Sequence, residues 1–430
     1  MRKSQPERES RLAEAFIIDA VRTPRGIGKA GKGGLAHLHP HHLAATVLKA
    51  LRDRNGLETA DVGDVIWSVT HQRRQQSCDL GRMAALLAGF DIGVSGVTLD
   101  RFCGGGITAV SLAGAQIMAG VEDCMIGGGS EMMSLSTLFN KNEAEAGWPV
   151  LGIAAGDTAL QDLHPQCGQG VAADAIATME GFTREELDRA ALLSQQRAVT
   201  AIKEGRFDRS IVPVYNGDGS LALARDENPR AETTLDGLAQ LKPAFGQLAD
   251  SPIGFVAETH RQAINRRYPN LTIEHFHHAG NSSGVVDGAA GLLLASAAYA
   301  DKVGWTPRAR IVAMTNSGDD PTLMLNAPVP AAKKVLAKAN LTTDDIDLWE
   351  INEAFAVVSE KFIRDLNLDR DKVNVNGGAI ALGHPIGATG AILIGTLLDE
   401  LEQRGKRFGL VTMCASGGMA PAMIIERIGD

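Results

Sequence analysis

The chain has 430 residues, 44% hydrophobic and 22% charged, enough for a large buried core and two or three domains of ordinary size. Forty-two basic against 51 acidic residues leave a net charge of −9, which argues against a nucleic-acid-binding surface. No apolar run reaches the roughly 18 residues of a transmembrane helix, and the five cysteines are odd in number and too widely spaced for a disulfide framework or a zinc site.

The segment Met1 to Glu14 is charged and lacks the apolar stretch of a secretory signal, and Glu7, Glu9 and Glu14 argue against a mitochondrial transit peptide. A flexible tail over 1–14 and a cytoplasmic location are expected. Strands and helices then alternate. Ala15 to Ala20 reads as a strand, Leu43 to Arg54 as a helix, Asp64 to Val69 as a strand, Leu80 to Ala88 as a helix and Gly96 to Leu99 as a strand. Gly106 to Ala119 is a small-residue helix, and Cys124 to Gly127 is a strand. The middle, Ser134 to Asp250, has polar turns, prolines and one clear helix at Arg184 to Glu204. Core-like sequence returns at Gly280 to Ala295.

The last third repeats the pattern. Strands are predicted at Arg310 to Thr315, Ile346 to Glu350, Lys372 to Asn376, Leu410 to Met413 and Ala422 to Glu426. Helices fall at Pro330 to Ala339, Ala354 to Leu366 and about Pro385 to Gln403. The alternation predicts a duplicated α/β unit with a mainly parallel sheet.

Four stretches suit chemistry. Cys103 lies between a strand and a helix, followed by Gly104, Gly105 and Gly106. A helix N-terminus stabilises a thiolate, and the glycines free backbone N–H groups for an oxyanion. A buried core cysteine beside a tight turn fits the same stretch. His384, within Gly377–Gly378–Ala379–Ile380–Ala381–Leu382–Gly383–His384–Pro385, occupies the equivalent turn of the second half, where it would serve as the base for Cys103. Cys414, in Met413–Cys414–Ala415–Ser416–Gly417–Gly418, ends a strand and by itself suggests packing. Asn352, in Asn352–Glu353–Ala354–Phe355, is either a helix cap or a buried amide that fixes a water.

Together, in this order and with Val21–Arg22–Thr23–Pro24, Gly127–Gly128–Gly129–Ser130–Glu131–Met132 and Gly280–Asn281–Ser282–Ser283–Gly284, these motifs resemble the thiolase family from about Phe16 to Arg427. The resemblance implies an α/β fold of two similar halves in a five-layered αβαβα core, with an inserted loop domain. The halves would be residues 15–300, with the insertion at about 132–278, and residues 301–430. It also implies a homodimer or homotetramer that acts on acyl-CoA and CoA without metal or further cofactor. The activity implied is cleavage of 3-ketoacyl-CoA by CoA to acyl-CoA and acetyl-CoA, or the reverse Claisen condensation, with degradation the favoured direction.

By resemblance, Cys103 is the acylated nucleophile, His384 its base and Cys414 the second acid/base. Asn352 holds a water that forms one oxyanion hole with His384. The backbone N–H groups of Cys103 and Ser416 form the other. Arg230 and Ser283 match CoA contacts. Gly168 and Gln169 stand where acetoacetyl-CoA-specific members carry His-Met, which predicts room for larger acyl groups. Further departures from the family pattern are Gly105 for a serine, Asp100 for an asparagine and Ser416 for a glycine. Rival readings are a ketoacyl-synthase-type condensing enzyme, which lacks the second cysteine, and a catalytically silent lipid-binding relative, which would lose one of Cys103, His384 and Cys414.

Two weaker signals remain. Gly26–Ile27–Gly28–Lys29–Ala30–Gly31 fits a dinucleotide-binding fingerprint, but no helix starts within it. Residues 246–278 are the least family-like part and hold His260, Arg261, Arg266, Arg267, His275, His277 and His278. They suggest either a phosphate contact by Arg266 or Arg267 at the CoA entrance, or an exposed helical insertion used in subunit contacts.

Overall fold

The computed structural model describes residues 13–146, 152–254 and 256–429. The tail expected over 1–14 lies outside these up to residue 12. Ala13 and Glu14 are anchored, Ala13 N–H on the Met118 carbonyl and Glu14 on Arg310.

One ten-stranded sheet organises the chain. Its centre is a seam where Ala15–Arg22 meets Ala309–Gly318 through Phe16 opposite Arg310 and Ile17 opposite Ala309. Outward from the seam, the first half runs Ala15–Arg22, Val286–Ser296, Cys124–Met132, Asp64–Ser68 and Ser95–Leu99. The second runs Ala309–Gly318, Met419–Arg427, Phe408–Thr412 and Leu348–Ile351, followed by a single parallel bridge from Trp349 to Val373. The two orders correspond strand for strand. The seam strands even shift register at matching places, between Ile17 and Asp19 and between Ile311 and Ala313.

The expectation of a mainly parallel sheet does not hold. Only the outer ladders are parallel, and every ladder from Cys124–Met132 across the seam to Phe408–Thr412 is antiparallel. Parallel pairing follows from a helical crossover between neighbouring strands. Cys124–Met132 and Val286–Ser296 are instead joined by the long insertion, which frees the second strand to return in the opposite direction. Nor is Lys372 to Asn376 a strand. Asn374 has φ +48°, and its side chain takes over the edge pairing, accepting from Ile351 N–H and donating to Ile351 C=O, each at 2.9 Å.

Alternating side chains on the strands feed different cores. Phe16 and Ile18 join Leu43, Leu48 and Trp67 beneath the outer helices Pro40–Asn55 and Leu80–Leu87. Ile17, between them, joins Ile107, Val110 and Ile394 around Gly105–Met118 and Ile386–Gln403, which pack on each other between the halves. The far face is covered by Pro328–Ala339 and Ala356–Asp365. The result is the αβαβα layering. Close approach of the two central helices requires glycine, since a Cβ on Gly390 would lie 2.1 Å from Ile107 N.

The insertion contains the helices Gln169–Glu180 and Arg184–Lys203; the second carries a full Thr183/Glu186 capping box. Most basic groups of 246–278 are paired, Arg267 being exposed. Arg261 pairs with Asp250 at 2.7 Å and Arg266 with Glu258 at 2.6 Å, His275 and His277 each reach Asp174 at 2.7 Å, and His278 reaches Asp188 at 2.9 Å. Asp250 and Glu258 lie within the segment itself, whereas Asp174 and Asp188 come from the helices Gln169–Glu180 and Arg184–Lys203, where sequence spacing does not reveal them.

Candidate active site

Cys103 sits at the turn from Ser95–Leu99 into Gly105–Met118. The turn is tight: Phe102 has φ +48°, its N–H donates to Asp100 Oδ1 at 2.6 Å, and its carbonyl accepts from Thr70 Oγ1 at 3.0 Å. Asp100, the departure from asparagine, therefore still anchors the turn. Gly104 lies against the loop that carries Cys414, where a Cβ would stand 2.7 Å from Pro421 Cδ and 3.5 Å from Ala415 Cβ. Ala415 and Met419 exchange backbone hydrogen bonds, closing that loop over Gly417 and Gly418, both at positive φ. Cys103 and Cys414 are 5% and 1% exposed, and each thiol is pushed up by burial, Cys103 to about 12. A negative charge on Cys103 would raise Cys414 further. Burial is the largest influence on the Cys103 thiol and disfavours its thiolate, whereas the helix terminus that the sequence pointed to begins two residues later.

His384 reaches the site from the second half. Its N–H bonds Gly284 C=O at 2.8 Å, and the neighbouring Gly284 N–H bonds Ala379 C=O at 3.0 Å. Ser283 N–H bonds Ala354 C=O at 2.9 Å, so one loop joins the His384 turn to the Asn352–Phe355 turn. Thr389 Oγ1 donates to Pro385 C=O at 3.0 Å and thus accepts from His384 Nδ1–H at 2.6 Å. The neutral ring then carries its lone pair on Nε2, which is buried with no partner. Burial, reinforced by the Arg25 charge, pushes His384 down to about 3. Asn352 is fully buried, and both its amide atoms are also unpartnered. Buried polar groups are normally satisfied, so His384 Nε2 and the Asn352 amide are both open to a further partner. Asn352 is no helix cap; the helix after it begins at Ala356.

Ser416 is 7% exposed, and its hydroxyl accepts from Gln169 Nε2 at 2.8 Å. Gln169 also lies close enough to Cys103 to favour its thiolate. Gly168 N–H bonds His260 Nδ1 at 2.9 Å, bringing the 246–278 segment to the rim. Arg230 stands on an exposed loop, with its N–H on Gln195 Oε1.

The sequence reading missed four residues. Thr389 sets the tautomer of His384. Arg25 is buried beside the His384 turn and donates to Gly383 C=O at 3.2 Å. Ser68 fills the space beside Gly105, and Glu131 is fully buried at the end of the glycine-rich strand Cys124–Met132. Only Arg25 and Glu131 had a signal, each adjoining or within a glycine- or proline-marked motif.

Residues 15–250 match the thiolase N-terminal domain and residues 305–427 the thiolase C-terminal domain. A beta-ketoadipyl-CoA thiolase of Acinetobacter baylyi is 38% identical over 97% of this chain and 100% of its own length. An acetyl-CoA acetyltransferase of Chromobacterium violaceum is 39% identical over 96% and 100%. The crystal structure of the Bacillus anthracis acetyl-CoA acetyltransferase superposes with a TM-score of 0.81 at 34% identity, covering 98% of this chain and 100% of that one. With both halves matched end to end and the fold shared, the chain belongs to the thiolase family and is an acyltransferase.

Proposed function

We propose that Cys103 is the acylated nucleophile of CoA-dependent 3-ketoacyl-CoA cleavage, with His384 as its base. The observation that carries this reading is the unpartnered, buried His384 Nε2, with its Nδ1–H held by Thr389; the buried Cys103 and Cys414 thiols and the unpartnered Asn352 amide support it. Nε2 takes the Cys103 proton as sulfur attacks the 3-keto carbon. The C2–C3 bond breaks, Cys103 keeps the acyl group, and Cys414 protonates the acetyl-CoA enolate. CoA thiol then returns a proton to Cys414 as it attacks the thioester, the C–S bond to Cys103 breaks, the leaving Cys103 sulfur takes its proton back from His384, and acyl-CoA leaves.

Two carbonyl oxygens gain charge along this path. One is served by the protonated His384 and a water on Asn352, the other by the N–H groups of Cys103 and Ser416. CoA enters as a substrate, with Ser283 and Arg230 as its contacts, and no metal or further cofactor is called upon. A homodimer or homotetramer in the cytoplasm, acting in fatty-acid breakdown with halves at 15–300 and 301–430, completes the proposal.

The favoured substrate has an acyl group larger than acetoacetyl. Gly168 contributes no side chain and Gln169 is turned onto Ser416, which supports this reading. The deciding experiment is CoA-dependent cleavage of 3-ketoacyl-CoA substrates of rising size by the wild type and by Cys103→Ala. Activity retained by Cys103→Ala would end the assignment, and a kcat/KM highest for acetoacetyl-CoA would end the size inference.

A further inference from the structure

Glu131 ends the glycine-rich stretch of Cys124–Met132 and is fully buried. A buried carboxylate is costly unless its oxygens are filled with donors. Here they are. Oε1 accepts from His71 N–H at 3.1 Å, His71 Nδ1 at 3.2 Å and Gln76 Nε2 at 3.3 Å. Oε2 accepts from Thr70 N–H at 3.0 Å and from Gly387 N–H at 3.1 Å.

The two donors on Oε2 belong to opposite halves of the site. Thr70 holds the Phe102 carbonyl and so the turn before Cys103. Gly387 is in the first turn of the helix that follows His384 and carries Thr389, the partner of the His384 ring. The backbones here are in direct contact: a Cβ on Gly129 would lie 2.0 Å from Gly387 O, and one on Gly387 would lie 2.5 Å from Ser130 O. The first turn of a helix also leaves N–H groups unpaired, which suits an anionic acceptor.

We infer that Glu131 is a positioning residue for the thiolase reaction: one oxygen of its carboxylate ties the turn of the nucleophile Cys103 to the turn of the base His384 and sets their relative placement. This rests on the assignment of those two roles. A glutamine cannot replace the carboxylate, because its NH2 would face N–H donors.

The test uses the full-length enzyme and two readouts: steady-state cleavage, and the rate at which iodoacetamide alkylates Cys103, followed by peptide mass mapping. Glu131→Gln should lower kcat by about 10²-fold, as expected for a small misplacement of reacting groups, with KM for acyl-CoA within about 3-fold of wild type. Alkylation of Cys103 should slow. The direction is decisive, since the Glu131 charge opposes ionisation of Cys103. Were Glu131 only a charge or only packing, its removal would leave alkylation unchanged or faster, and either result overturns the inference.

Thr70→Val removes the bond to Phe102 and leaves the carboxylate intact, so it gives a reading even if Glu131→Gln does not fold. It should slow alkylation as well, and the two substitutions combined should cost less than the product of the singles. Wild-type alkylation in Thr70→Val would overturn the link through the turn. Activity retained by Cys103→Ala would instead mark failure of the nucleophile assignment.

Discussion

Gly105 and Ser68 share one space. A Cβ on Gly105 would lie 1.9 Å from Ser68 Oγ, a buried hydroxyl with no hydrogen-bond partner. The glycine that replaces the family's serine two residues after Cys103 is therefore matched by a serine on the neighbouring strand. Gly105→Ser should destabilise the enzyme by about 1–3 kcal/mol, the usual cost of overpacking, and lower activity by shifting the Cys103 turn. Ser68→Ala in the same chain should restore most of both. Thermal unfolding and kcat of the single and double variants check this; a Gly105→Ser enzyme as stable as wild type would refute the close contact.

The state of the site should show in its pH dependence. His384 is held down to about 3, so its folded pKa lies below that of a free histidine and the ring stays neutral through the mildly acidic range. The acid limb of kcat/KM should therefore lie below about pH 5 instead of near the ordinary histidine value of about 6.5. Cys103, pushed up to about 12, should alkylate in the free enzyme at a rate that climbs roughly tenfold per pH unit without a plateau up to about pH 10. A plateau near neutrality would mean a resting thiolate–imidazolium pair.

Asn352 offers a separation of function from stability. Neither of its amide atoms bonds to protein, so Asn352→Ala breaks no internal hydrogen bond. Its kcat should fall by about 10²- to 10³-fold, as for loss of an oxyanion donor, while the melting temperature changes little. A large drop in stability with modest loss of activity would make Asn352 structural.

Cys414→Ser should divide the half-reactions. Proton transfer by a placed group is worth about 10² to 10⁴ in rate. Acylation of Cys103 by acyl-CoA, read by mass mapping, should persist in part, whereas condensation with acetyl-CoA falls much further. Equal survival of both steps would reduce Cys414 to packing.

Arg266 carries a negative prediction. Its guanidinium is engaged by Glu258, Asp162 and the Gln161 carbonyl, which leaves little to offer a phosphate. Arg266→Ala should leave KM for CoA unchanged at low and high salt. Arg230→Ala, which removes an exposed side chain from a loop proposed to meet CoA, should raise KM for CoA, and more so at low ionic strength.

The amino-acid sequence by itself determined most of the order of strands and helices, the duplication and the candidate residues for chemistry. Each of those signals is local. Cys103 and His384 stand at strand-to-helix turns marked by glycines, and Asn352 and Cys414 lie just beyond the ends of short apolar strands. Tertiary structure alone decided how these pieces act on one another. The central ladders run antiparallel in both halves, with Cys124–Met132 and Val286–Ser296 joined by the long insertion and Phe408–Thr412 and Met419–Arg427 joined by a short loop. Desolvation, a property of everything packed around Cys103, pushes its thiol up, against what one helix terminus alone would suggest. In the basic stretch at 246–278, Arg261 and Arg266 are met by Asp250 and Glu258 of the stretch itself, and His277 and His278 by Asp174 and Asp188 on distant helices. Ser68 meets Gly105 within the first half, and Glu131 meets both the Cys103 turn and the His384 turn only once the two halves close on each other. Such contacts join residues far apart in the chain, where no local spacing records them.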